Sequence, residues 1–115
     1  MKELMNTVII VNSETFGKGD ETLGISLIGA FLRKIWANEE KPQTIIFYNS
    51  GVKHLGPQST LLEVLHGLEE QGVELVACGT CIDHYGLKEV LQVGRRTDMA
   101  EIVHLMMTAE KTITV

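Results

Sequence analysis

Val73-Glu74-Leu75-Val76-Ala77-Cys78-Gly79-Thr80-Cys81 holds both cysteines of the chain and decides how the rest is read. The short apolar run Val73–Ala77 follows a glycine and reads as a buried strand. Cys78 leaves the carboxyl end of that strand, and a helix is expected from about Cys81 to Leu91. A C-x-x-C that opens a helix aims sulfur at the positive end of the helix dipole, which favours thiolate. Three readings of the pair stand side by side. It is a nucleophilic or redox thiol site, a pair of buried small hydrophobes, or half of a zinc site lacking its second pair of ligands. A thioredoxin would carry its motif after an early strand rather than the third.

Outward from this stretch, strands and helices alternate. Thr7–Asn12 is a β-branched run suited to a strand covered on both faces, and Ser13–Gly19 is a polar, glycine-bearing loop. Asp20 is placed to cap a helix whose stripe is Leu23, Leu27, Ile28, Phe31, Leu32 and Ile35, stopped at Pro42. Thr44–Tyr48 is the second strand, turned by Asn49-Ser50-Gly51. Thr60 and Glu63 have capping-box spacing before a helix with Leu61, Leu62, Leu65 and Leu68, and Gly72 fits its C′ position. Beyond the cysteines, a short strand is expected near Gln92-Val93 and a loop over 94–97. Asp98 and Glu101 form a second capping box before a helix with Ile102, Leu105 and Met106, and Thr112–Val115 closes as a strand.

The pattern βαβαβαβαβ predicts one α/β domain over residues 1–115. It is doubly wound around a mostly parallel five-stranded sheet, with helices on both faces in a flavodoxin-like layering. In such sheets a site lies beyond the carboxyl ends of the strands, where strand order reverses. The loops expected to converge there are 13–20, 49–54, 78–81 and 94–99.

A chain of 115 residues with 44% apolar composition can bury a core without a disulfide or metal. Its 15 acidic and 10 basic side chains give a net charge of −5 without a basic patch, so nucleic acid is not an expected partner. Apolar runs are only strand-length and no leader is recognisable. Neither a membrane span nor export is expected, and the expected compartment is cytoplasmic.

Around the thiols, the candidate supporting pocket is Gly17, Asn49, Ser50, Gly51, Gly79, Thr80, Thr97 and Asp98. Gly17-Lys18-Gly19 can bring backbone N–H groups to an anion, or simply turn the chain. Asn49–Gly51 can place an amide near Cys78, or serve as turn chemistry. Thr97 and Asp98 are cap residues first, and a carboxylate at Asp98 near a thiolate would oppose ionisation. His84, one turn beyond Cys81, can pair with a thiolate or be an exposed helix histidine. Lys53 and His54 can add positive charge near the sulfur, or belong to a solvated loop. His66 and His104 have no evident role, and Met99, Met106 and Met107 read as core or interface filler.

These residues together resemble the DsrE/DsrF-like sulfur-relay proteins, most closely the DsrE-like domain of the YedF selenium-metabolism proteins. The resemblance runs through Gly17-Lys18-Gly19-Asp20-Glu21 with Leu23-Gly24, then Ile45-Ile46-Phe47-Tyr48-Asn49-Ser50-Gly51-Val52-Lys53. It continues through Leu68–Leu75, Cys78-Gly79-Thr80-Cys81 with Tyr85-Gly86-Leu87, Val93-Gly94, and Thr97 with Met99. It implies a homo-oligomeric, DsrE-like α/β domain whose cysteine after the third strand carries a persulfide. Gly86 stands eight residues beyond Cys78, as in the family pattern, so the carrier role maps onto Cys78. Cys81 is then a second thiol that resolves or steers the persulfide. The resemblance further implies sulfur donor and acceptor proteins as partners, a SirA-like protein among them. No cofactor is expected, because the chemistry is thiol exchange, and no metal is expected without a second pair of ligands. Where the YedF pattern has Asn after the last-loop threonine, this chain has Asp98.

Overall fold

In a computed structural model, which describes residues 3–115, five strands form one sheet in the order β4-β3-β2-β1-β5. They are β1 (Glu3–Val11), β2 (Glu40–Phe47), β3 (Glu74–Cys78), β4 (Arg95–Thr97) and β5 (Lys111–Thr114). All four pairings are parallel. The helices are α1 (Glu21–Ala37), α2 (Leu62–Glu70), α3 (Gly79–His84) and α4 (Met99–Thr108), and a 3-10 segment spans Asn49–Leu55. Residues 1 and 2 of the expected domain lie outside the described residues.

Strand residues alternate between two cores, as the period of two requires. Ile9, Val11, Ile45, Phe47, Leu75 and Ala77 pack with Ile28 and Leu32 of α1 and Val64, Leu65 and Leu68 of α2. Val8, Ile10, Ile46, Val76 and Cys78 point the other way and pack with Ile102, Leu105 and Met106 of α4. The fold is therefore the expected doubly wound α/β domain, with two helices covering one face and one the other.

Several elements depart from expectation. On α1, Leu23 and Leu27 are exposed, and the buried stripe is Gly24, Ile28, Gly29 and Leu32. Gly24 belongs to it because a Cβ there would lie 2.5 Å from Thr15 Cβ, so the helix sits directly against the loop after β1. Pro42 does not stop α1. The helix ends at Asn38, and Pro42 lies inside β2 opposite Met5. The proline is tolerated because β3 joins β2 only from Thr44 onward, leaving that side of Pro42 without a ladder partner. The Thr60–Glu63 box does not form, since α2 starts at Leu62 and Ser59 Oγ accepts from Leu61 N instead. α3 is six residues long rather than reaching Leu91. Gly86, at φ 69°, ends it with a left-handed turn in which Leu87 N donates to Ile82 O. The short strand expected at Gln92-Val93 falls instead at Arg95–Thr97, after Gly94 (φ 80°) has turned the chain.

The turn expected at Asn49–Gly51 is the start of the longer 3-10 segment, seated on the carboxyl end of β1. Val11 O accepts from Tyr48 N at 3.2 Å, and a Cβ on Gly51 would lie 2.2 Å from the same oxygen. Backbone cannot yield as a flexible side chain can. Gly51→Ala is therefore expected to lower stability by about 1–3 kcal/mol, read as a lower urea midpoint. An unchanged midpoint would show that the 3-10 segment lifts off β1 without penalty.

Candidate functional site

Cys78 closes β3 and is the N-cap of α3, with its side chain in the α4-facing core and only 5% exposed. Cys81, in the first turn of α3, is half-buried and packs against both cores. The two are free thiols within hydrogen-bonding reach of each other. They open into a concavity of about 330 Å³ lined by Tyr48, Asn49, Cys78, Thr80, Cys81, His84, Tyr85 and Met99.

Asn49 organises this concavity. It is the one non-glycine residue with positive φ, 51°, among the described residues, a conformation that asparagine adopts more readily than most. Its N–H donates to Cys81 Sγ at 3.0 Å, and its Oδ1 accepts from the Tyr85 hydroxyl at 3.2 Å. The amide expected near Cys78 is thus given to Cys81. Burial pushes the Cys81 thiol up, the Asn49 N–H opposes that, and the neighbouring Cys78 adds to it. Cys81 accordingly keeps its proton at neutral pH.

Arg96 escaped the sequence analysis. Its guanidinium lies against Gly79, where a Cβ would come within 2.7 Å of Nε. Asp83 holds it by two bonds of 2.8 and 2.9 Å. The Asp83 pair raises the Arg96 pKa, and Arg96 is close enough to Cys78 for a sulfur anion to reinforce that. In the β3–β4 ladder Ala77 faces Arg96 and Cys78 faces Thr97, a register that strand periodicity alone cannot supply. Gly79 is therefore needed for the room it leaves beside Cys78.

The other predicted residues take different places. Gly51 is buried within the 3-10 segment, and Ser50 is half-buried; neither lines the concavity. Gly17 is exposed in the loop after β1 at φ 78° and does not line it either. Thr97 is buried and its hydroxyl donates to Glu101, whose carboxyl is held down at about 2 by Arg95 and then by Thr97. Asp98 caps α4 by accepting from Glu101 N at 2.9 Å, so its carboxylate is engaged there rather than at the thiols. Lys53 does not bring charge to the sulfur. It pairs with Glu14 at 3.3 Å and lies over the Tyr85 ring. His54 does not either, because it is only 7% exposed and burial lowers its pKa. His84 lines the concavity edge-on to Tyr85. Met99 lines it too, 57% exposed, while Met107 is 80% exposed on the outer side of α4. Strand order reverses between β1 and β5, so the thiols at the end of β3 lie two strands from that point rather than at it.

Among the described residues, no helix is long and apolar enough to cross a membrane, and no group of three or more His, Cys, Asp or Glu is placed to hold a metal ion.

Residues 5–115 match the DsrE/DsrF-like family, and the chain belongs to it. The YchN protein from E. coli shares the fold, with a TM-score of 0.64 at 20% identity, each chain covered over 100% of its length. A protein of unknown function from Methanobacterium thermoautotrophicum aligns with a TM-score of 0.69 at 18% identity, over 99% of this chain and 100% of that one. A conserved protein from Bacteroides thetaiotaomicron gives 0.64 at 12% identity, over 96% and 95%. Comparison with curated proteins gives no match.

The buried His54 has a consequence for stability. Its folded-state pKa is depressed below the unfolded value of 6.5, so unfolding takes up a proton between the two. Its contribution is intact above the unfolded pKa and shrinks as pH falls through it. The urea midpoint is expected to drop between about pH 7.5 and about pH 5.5, and to drop less in His54→Phe. Identical slopes would show that His54 is protonated as readily folded as unfolded.

Proposed function

We propose that this protein is a sulfur carrier in which Cys78 holds a persulfide. The observation that carries the reading is the pairing of two unlike thiols in one open concavity at the end of β3. Membership of a family associated with sulfur relay supports it.

Cys78 attacks the outer sulfur of a donor persulfide R–S–SH as its thiolate. The donor S–S bond breaks, R–S⁻ leaves, and Cys78–S–SH forms without net oxidation or reduction. An acceptor thiolate removes the same outer sulfur and returns Cys78 as thiolate. A transferred selenium would follow the same exchange. Cys81, which keeps its proton, is the second thiol. If Cys81 loses that proton to solvent and its thiolate attacks the inner sulfur, a Cys78–Cys81 disulfide forms, hydrosulfide leaves, and an external dithiol must reduce the disulfide before the next cycle. Arg96 supplies positive charge beside the reacting sulfur, a role that falls to it because α3 is too short for a large dipole. Donor and acceptor proteins, a SirA-like protein among them, would meet the concavity at its exposed rim. Assembly of several copies would bring the exposed Met99, Val103 and Met107 of α4 under cover.

Incubation with a persulfide donor, followed by intact mass measurement, tests the reading. A gain of one sulfur that reductant removes, absent in Cys78→Ser, is expected. Equal loading of parent and variant would remove Cys78 from the mechanism. The Arg96 role has its own signature in a Cys81→Ser background. Arg96→Gln should slow iodoacetamide alkylation of Cys78 at neutral pH, by up to about fivefold, the scale of exposed charge pairs. Asp83→Asn should speed it, because it removes the charge that competes for Arg96. A purely structural role would move both rates the same way.

A further inference from the structure

The 3-10 segment divides the carboxyl edge into two concavities, and only one holds the thiols. The other, about 480 Å³, is lined mainly by the 56–61 connection before α2, with the loop after β1, the 3-10 segment, α1 and the end of α3 around it. Ile25, Leu61 and the Tyr85 ring give it apolar walls, and Glu14 and Lys53 meet as an ion pair among its lining residues. His54 lines it as well. His54 Nε2 is buried and has no hydrogen-bond partner among the described residues, while backbone groups of Ser13 and Glu14 lie close enough to the ring to raise its proton affinity.

Backbone groups that raise the imidazole's proton affinity act as acceptors, so we assign the ring hydrogen to Nδ1, the nitrogen other than the unpartnered Nε2. Neutral imidazole then leaves a lone pair on Nε2 that nothing meets. A buried acceptor without a donor is disfavoured and calls for a partner such as water or a ligand group. The lining charges neutralise each other, so the cavity offers no net charge to an ion. Its size is within the range of small-molecule sites.

We propose that this cavity binds a small neutral molecule with an apolar body and one hydrogen-bond donor, which His54 Nε2 accepts. Nε2 itself is buried, so the donor reaches it by displacing part of the cavity wall. Tyr85 is shared by the two concavities. Its ring walls this one and its hydroxyl donates to Asn49, whose N–H holds the Cys81 sulfur. The occupant would therefore touch the chain of bonds ending at Cys81, although its binding does not depend on sulfur transfer.

Phenol and toluene, alike in shape and differing in one hydroxyl, are the probes. Each is titrated into the ¹⁵N-labelled protein while the His54 imidazole nitrogens and the Leu61 and Tyr85 amides are followed. Phenol is expected to shift all of them saturably and to bind several-fold more tightly than toluene, which leaves Nε2 in place. His54→Phe should abolish the preference for phenol. Should that variant not fold, the parent's Nε2 shift decides alone. Amides that do not move with phenol, a stationary Nε2, or toluene binding as tightly as phenol would overturn the proposal.

Discussion

The approach of the 3-10 segment to the carboxyl end of β1 governs the thiol edge. Val11 O meets both Tyr48 N and the face of Gly51 that lacks a side chain, so residues 49–55 can only lie across the strand ends. That seat holds Asn49 in its left-handed conformation, aims its N–H at Cys81, and leaves its Oδ1 for Tyr85. A side chain at position 51 would displace the segment and with it the amide that distinguishes one cysteine from the other.

Once the segment is fixed, the two thiols are unlike in ways that suit a division of labour. Cys78 is held at a strand end within the α4-facing core, with Arg96 pressed against the next residue. Cys81 is more exposed, bears a backbone donor, and is pushed toward its protonated form by burial. In the proposed carrier, Cys78 beside the Arg96 cation would be the attacking sulfur and Cys81 the thiol held in reserve.

The strand–helix alternation was legible because continuous β-branched runs such as Val8–Val11 and Ile45–Phe47 are buried on both faces and leave little choice of element. The cysteines at the end of β3, and Asn49 and Thr80 near them, were legible from position along the chain. Strand register was not. Arg96 lies beside Cys78 only because β4 pairs in one particular frame with β3, and a three-residue polar edge strand carries too little pattern to reveal it. The positive φ of Gly86, which ends α3 after six residues, has no signature in its spacing from Cys78, so the sequence pattern overextends that helix. Asp98, by contrast, was legible as a cap from its spacing to Glu101, and its carboxylate is engaged at the start of α4.

The most direct test of the account is the position of the transferred sulfur. After loading, a reagent that caps persulfides and fragmentation of the 54–88 region would assign the extra sulfur to one cysteine. The account predicts it on Cys78, with Cys81 capped as an ordinary thiol. Extra sulfur confined to Cys81 would contradict the division of roles between the two cysteines.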